Sequence, residues 1–326
     1  MPAAIIIGFE YSVNKLSYVH PGLSGLSGLS GFGSLGSLGS LGSLGRLDSL
    51  NKLTSPTTLP GAFIDIYQAH RWCLSFNCAT YILTDVTGDV SSKYSFVLKK
   101  SIANNIVDPD IVSFYDMVDT TLVNTSAELL LGLDAVLLNV PDNRLIIYYT
   151  GHGNKDALVM PNHELLSFIT FRDRILSKIA PTTEIFWILD CCNPTGLHLP
   201  FLLERNNFIL SSAKISCVTQ PILLIISSNS EEKSVTSDMG SLFSRELFQL
   251  LHTLNSANTT ISARNRNMRR LLGNLSGAIR KMHTGYTQTL SIYSSYIIDP
   301  VLWLWIGAND TDDIVADMSL STIIIR

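Results

Sequence analysis

Two apolar runs near the middle of the chain each stop at a reactive side chain. LIIYYTGHG, at 145–153, delivers His152 between two glycines, and EIFWILDCCN, at 184–193, delivers Asp190, Cys191 and Cys192. A cysteine becomes a nucleophile when it is held as thiolate or loses its proton to a neighbouring base. His152 is the best candidate base, because its small neighbours let a substrate backbone come close. Blander readings exist for each residue alone: a loop histidine that is merely solvated, a strand-end cysteine that is inert core. Metal binding is the other use of these residue types. Zinc takes four ligands at recognisable spacings, whereas Cys191 and Cys192 are adjacent and point different ways along a strand. Cys73 and Cys78 have no suitably spaced histidine pair, so no metal site is expected. Phosphate-loop and dinucleotide fingerprints are absent.

The pairing of thiol and base depends on the elements that carry them. In an open α/β sheet, catalytic groups collect beyond the carboxyl ends of the strands. AAIIIGF at 3–9 reads as a buried parallel strand, as do ATYILT at 79–84 and PILLIIS at 221–227. Residues 62–76 carry Phe63, Ile66, Ala69, Cys73 and Phe76 at helical spacing. A Leu-rich helix is expected at 126–138 with Asn124 or Thr125 as its cap. Further helices are expected at 168–180, 241–255 and, strongly basic, 264–283. A small edge strand is expected at 157–160 and a last strand at 287–298. The alternation of strands and helices gives a mostly parallel, doubly wound sheet with helices on both faces.

Between the first strand and the first helix stands a charge-free tract in which glycine recurs every third residue, from 21 to 45. It lacks the proline of a collagen triple helix. The whole insertion, 21–58, is therefore expected to be a disordered Gly/Ser/Leu linker. The chain has 326 residues, 46% apolar and 15% charged, enough for a large core. A net charge of −4 provides no basic footprint for nucleic acid. No run of 18 or more apolar residues argues for a membrane span. The five cysteines form no framework spacing, and no basic leader precedes an apolar stretch. Reduced thiols and a cytoplasmic location are the expectation.

These residues resemble the caspase-like cysteine peptidases, and most closely the metacaspases, which carry a Ser-Gly-His-Gly strand end followed by an Asp-x-Cys strand end. TGHG and DCC match that order. AIIIGFEY at 4–11 resembles the family's first strand, LPGAFID at 59–65 its Leu-x-Gly-x-x-x-Asp segment, and ILTD at 82–85 its second strand. Residues 225–248 resemble the start of the small subunit. The resemblance implies a single caspase-like α/β/α sandwich over 1–326. Its sheet would have six mostly parallel strands, with a large-subunit-like part at 59–205 and a small-subunit-like part at 215–326. It implies His152 as general base and Cys192 as nucleophile, with Cys191 at the variable middle position. The backbone N–H groups of Gly153 and Cys192 would form the oxyanion hole. Asp65 and Asp190 match the acidic positions of a pocket for Arg or Lys before the cleaved bond; either could instead simply close a strand or cap a helix. The implied partners are protein or peptide substrates, with no nucleic acid and no membrane. No cofactor is implied beyond the calcium that activates family members, and residues 154–172 hold only Asp156 and Glu164 where its acidic segment would lie. Thr150 replaces the family's serine, and Asn193-Pro194-Thr195 before Gly196 is one residue longer than its usual loop. A legumain- or transamidase-like enzyme, and an inactive caspase-like interaction module, are the competing readings. Arg46, Lys52, Arg205 and Lys214 are candidate self-cleavage sites.

Overall fold

The computed structural model describes residues 2–11, 58–86, 93–140, 143–194, 197–204, 207–211, 218–228, 232–256 and 288–296. The insertion at 21–58, except its last residue, and the basic helix expected at 264–283 lie outside the described residues, as do Cys217 and the four candidate cleavage sites.

Six strands run parallel: β1 (Ala3–Gly8), β2 (Ala79–Thr84), β3 (Thr120–Leu122), β4 (Arg144–Thr150), β8 (Glu184–Asp190) and β11 (Ile222–Ile226). Three antiparallel strands extend the same sheet: β9 (Phe201–Glu204), β10 (Asn207–Leu210) and β14 (Ser291–Ser294). The order across it is β10-β9-β14-β11-β8-β4-β1-β2-β3. The mostly parallel sheet is as expected, but it has nine strands rather than six. The shortfall came from β9 and β10, two four-residue pieces, and from β3, three exposed residues that join only by pairing with β2. Outside the sheet, β5 (Gly153–Asn154), β6 (Ala157–Val159) and β7 (Leu165–Ser167) form a small meander. A second short pair is β12 (Thr236–Ser237) with β13 (Gly240–Ser241).

The central strands are apolar throughout because both faces are covered. Alternate residues feed two separate cores. Ala4, Ile6, Ile146, Tyr148, Phe186 and Ile188 face α1 (Ala62–Leu74) and α6 (Leu242–Ser256), where Phe63, Phe243 and Phe248 are buried. On that side α2 (Ser95–Ala103) and α3 (Ile111–Met117) add Leu98 and Phe114. Ile5, Ile7, Ile147, Tyr149, Trp187 and Leu189 face the other way, onto α4 (Ser126–Leu137) and α5 (Phe168–Leu176). The result is a three-layer α/β/α sandwich. Each fully buried Ile or Leu on these faces contributes about 2 kcal/mol of transfer free energy. Thr125 caps α4 through a capping box, its side-chain oxygen accepting the Glu128 N–H at 3.1 Å while the Glu128 carboxylate accepts the Thr125 N–H at 3.1 Å.

The register decides the geometry of the site. Gly8 pairs with Thr84 on one side and Thr150 on the other, and Thr150 pairs with Asp190. Strand direction of growth reverses between β1 and β4, since β1 leads outward to β2 and β4 to β8. The carboxyl edge at such a reversal is where α/β sheets form their crevice.

Candidate active site

Beyond that row of strand ends the backbone of His152 and that of Cys192 each lie two residues past a paired position, Thr150 opposite Asp190. The Gly151 N–H donates to the Asp190 carbonyl at 3.2 Å, so the pairing continues one step past the strands. Gly153 then lies directly against the cysteine pair. A methyl group on its Cα would sit 2.2 Å from the Cys192 carbonyl oxygen and 2.9 Å from the Cys191 sulfur. No side chain fits there, which gives the second glycine of Gly-His-Gly a steric cause. The Val159 N–H donates to the His152 carbonyl at 3.1 Å. One ladder bond thus joins Val159 to His152, and the next pair, Gly153 with Leu158, stands at a non-bonded position. The Gly153 N–H is therefore turned away from the hairpin ladder.

The two thiols differ in access. Cys191 is 1% exposed and belongs to the core beneath the edge, and burial pushes its thiol well up. Cys192 is only partly buried. Burial raises its thiol too; the Ser234 backbone N–H and, more weakly, the Lys233 charge pull it down, while Asp190 pushes it up. The resting sulfur is thus a neutral thiol near pH 7, and it needs a base at the moment of attack. The peptides on both sides of it are fixed: the Asn193 N–H donates to the Glu232 carbonyl at 3.1 Å, and the Cys191 carbonyl accepts from the Ser228 hydroxyl at 3.1 Å. Asn193, Leu197 and His198 all have positive φ, at 50°, 51° and 57°.

Asp65 and Asp190 come together beneath the edge, each 2% exposed. Asp65, in the first turn of α1, accepts the Ser241 N–H at 3.0 Å and the Thr150 hydroxyl at 3.3 Å. Asp190 accepts hydroxyls from Ser234 at 2.7 Å and Ser244 at 2.5 Å. Burial lifts the Asp65 carboxyl well above the usual range, and the neighbouring Asp190 adds to the rise. Asp190 is also raised by burial, with the surrounding hydroxyls opposing. The pair is a buried acidic centre satisfied by serine, threonine and backbone donors.

Several residues of this edge escape a reading of the sequence. Tyr11, just past β1, places its ring 4.4 Å from the His152 ring, and its hydroxyl accepts the His152 N–H at 2.6 Å. Asp85, at the end of β2, accepts the Glu10 and Tyr11 N–H groups at 2.6 and 2.8 Å. Ser234 and Ser244 are the hydroxyls on Asp190. The only available signal was position: Tyr11 and Asp85 both follow apolar strands directly, as His152 and Cys192 do.

Among the described residues, no group of three or more His, Cys, Asp and Glu side chains could hold a metal ion, and no helix is long and apolar enough to cross a membrane.

No protein-family model matches the chain, and no curated protein matches it. Among solved structures, protein GSU0716 from Geobacter sulfurreducens is similar with a TM-score of 0.49 and 10% identity, covering 93% of this chain and 96% of that one. Caspase-1 from Spodoptera frugiperda is similar with a TM-score of 0.42 and 11% identity, covering 90% of this chain and 86% of that one.

Proposed function

We propose that the protein is a caspase-like cysteine endopeptidase of metacaspase type, cleaving peptide bonds after Arg or Lys through His152 and Cys192. The observation that carries this reading is the contact of Gly153 with the Cys192 carbonyl and the Cys191 side chain, which brings the Gly-His-Gly end and the Asp-Cys-Cys end against each other. In this reading His152 takes the Cys192 proton as the sulfur attacks the substrate carbonyl carbon. The resulting oxyanion accepts hydrogen bonds from the Gly153 and Cys192 N–H groups. Collapse breaks the C–N bond, and the amine leaves with the proton from His152. Water, deprotonated by His152, then hydrolyses the thioester and frees the thiol.

The basic preference rests on Asp65 and Asp190. Two carboxylates buried side by side repel each other and lack full hydration, so an incoming guanidinium or ammonium relieves a cost that serine hydroxyls only partly offset. For that contact the Ser234 hydroxyl must yield its place on Asp190. Their near-complete burial favours the second reading, an inactive caspase-like fold used as an interaction module. No metal or other cofactor is part of the proposed chemistry; the partners are protein or peptide substrates, and processing at Arg46, Lys52, Arg205 or Lys214 would be autocatalytic. Fluorogenic peptides ending in Arg, Lys and Asp separate the readings. Cleavage after Arg or Lys that disappears in Cys192→Ala supports the peptidase. Cleavage only after Asp, or activity unchanged in Cys192→Ala, refutes it, and no cleavage of any peptide favours the interaction module. Fragments in the intact mass of the wild type, missing from Cys192→Ala, would mark self-processing.

A further inference from the structure

Tyr11 makes more contacts to His152 than any function assigned so far requires. We propose that Tyr11 is the positioning residue of His152: its hydroxyl and ring fix the backbone and the imidazole plane from which the proton is exchanged with Cys192. The inference rests on His152 being the general base.

The geometry has three parts. First, the hydroxyl is fully committed. It accepts the His152 N–H at 2.6 Å and donates to the Val159 carbonyl at 2.7 Å. The Tyr149 hydroxyl donates in turn to the His152 carbonyl at 2.9 Å. Both tyrosine protons are thereby used, so the 3.3 Å approach of the two oxygens is a close contact and not a further bond. His152 thus has its N–H and its C=O held by two phenols, one just past β1 and one on the neighbouring β4. Gly151 makes room for this clamp, since a Cβ there would lie 2.7 Å from one hydroxyl and 2.9 Å from the other.

Second, the ring of Tyr11 lies against the imidazole at 4.4 Å between centroids, tilted by 46°, and Phe9 supports both tyrosines edge-on at 6.2 and 6.0 Å. The imidazole cannot swing toward Tyr11 without displacing a ring that is 6% exposed. Burial also pushes the phenol far up, so it remains a neutral donor and acceptor through the working range of a peptidase.

Third, Tyr11 is held in a costly conformation. Its φ is +58°, a region that bulky L-residues rarely adopt. The Asp85 carboxylate compensates by accepting the Glu10 and Tyr11 N–H groups at 2.6 and 2.8 Å. Strain of this kind persists where the surroundings over-determine it, and it concentrates at functional sites.

The test uses Tyr11→Phe, which keeps the ring and removes only the hydroxyl, with Tyr11→Leu as the variant that removes both. In a Cys192→Ala background, amide hydrogen exchange at His152 is expected to speed at least about tenfold in Tyr11→Phe, because its N–H loses its acceptor. In the active protein, kcat of Tyr11→Phe is expected to fall about tenfold with KM within about twofold of wild type. Tyr11→Leu should fall further in kcat. Should Tyr11→Leu not fold, Tyr11→Phe alone decides. Unchanged exchange at His152 together with unchanged kcat in Tyr11→Phe overturns the proposal, as does a loss confined to KM. A wild type that cleaves no peptide refutes the peptidase reading instead, and the exchange rate still reports whether the clamp exists.

Discussion

Gly153→Ala tests the contact on which the site depends. The new methyl would lie 2.2 Å from the Cys192 carbonyl oxygen, 2.9 Å from the Cys191 sulfur and 3.0 Å from the Cys191 Cβ. Ordinary contact begins at 3.4 Å, so more than about 1 Å of separation must be found. A flexible side chain could give way, but the obstructing atom is backbone. That backbone is pinned on both sides, by the Ser227 and Ser228 hydroxyls on the Cys191 carbonyl at 3.3 and 3.1 Å and by the Asn193 N–H to Glu232 bond at 3.1 Å. Over-packing of this kind costs about 1–3 kcal/mol, which lowers Tm by roughly 2–5 °C for a domain of this size. The functional loss should be larger in proportion. A 1 Å misplacement of reacting groups costs about 10²-fold, equal to about 2.7 kcal/mol of barrier. The assay is kcat/KM on a peptidyl-Arg substrate beside thermal unfolding, with Gly132→Ala as control. There the methyl would meet the end of the Leu83 side chain at 3.1 Å. That chain can move and α4 gains about 1 kcal/mol of helix propensity, so kcat/KM should be unchanged. Wild-type kcat/KM and Tm in Gly153→Ala would refute the packing of the two strand ends.

Asp85 sits at about pH 6 because burial raises it, with the Glu10 charge adding and the Glu10 and Tyr11 N–H groups opposing. Its folded value lies above its unfolded one, so the native state holds an extra proton between about pH 4 and 6 and stability falls as pH rises through that window, by on the order of 3 kcal/mol. Urea unfolding at pH 4.5 and 7 should show this slope in wild type and a shallower one in Asp85→Asn; identical slopes would remove the argument. Cys191→Ala should cost about 1–2 kcal/mol, as a small buried side chain lost from the core, and keep peptide cleavage. Abolished cleavage in a folded Cys191→Ala would move the nucleophile one residue back.

How much of this was legible in the sequence follows from what each residue contacts. β1, β4, β8 and β11 were readable because a strand covered on both faces is apolar without interruption, and the histidine and cysteines that follow β4 and β8 stood out by residue type. A cap at Asn124 or Thr125 was visible from its place before a Leu-rich run, and the capping box with Glu128 settles it at Thr125. β9 and β10 were not, because four-residue pieces joined antiparallel at the sheet edge have no periodicity long enough to recognise. The helix expected over 168–180 ends at Leu176, where Ser177 and Lys178 leave the amphipathic pattern. Tyr11 was hidden for a different reason. Its partner His152 is 141 positions away, and the two meet only because β1 pairs with β4 in the register that sets Gly8 opposite Thr150. Ser244 likewise reaches Asp190 only through the docking of α6 on the sheet. Periodicity marks which residues are buried; it does not say which strand ends lie side by side.

The most direct measurement is covalent trapping at the thiol. A peptidyl chloromethylketone bearing Arg is incubated with wild type, His152→Ala and Cys192→Ala, and the adduct is located by mass spectrometry of the digested protein. The expected result is a single adduct on Cys192 in wild type, strongly slowed in His152→Ala and missing in Cys192→Ala. Failure of folded wild type to react, or adducts spread over Cys191, Cys73 and Cys78, would contradict a His152–Cys192 active site.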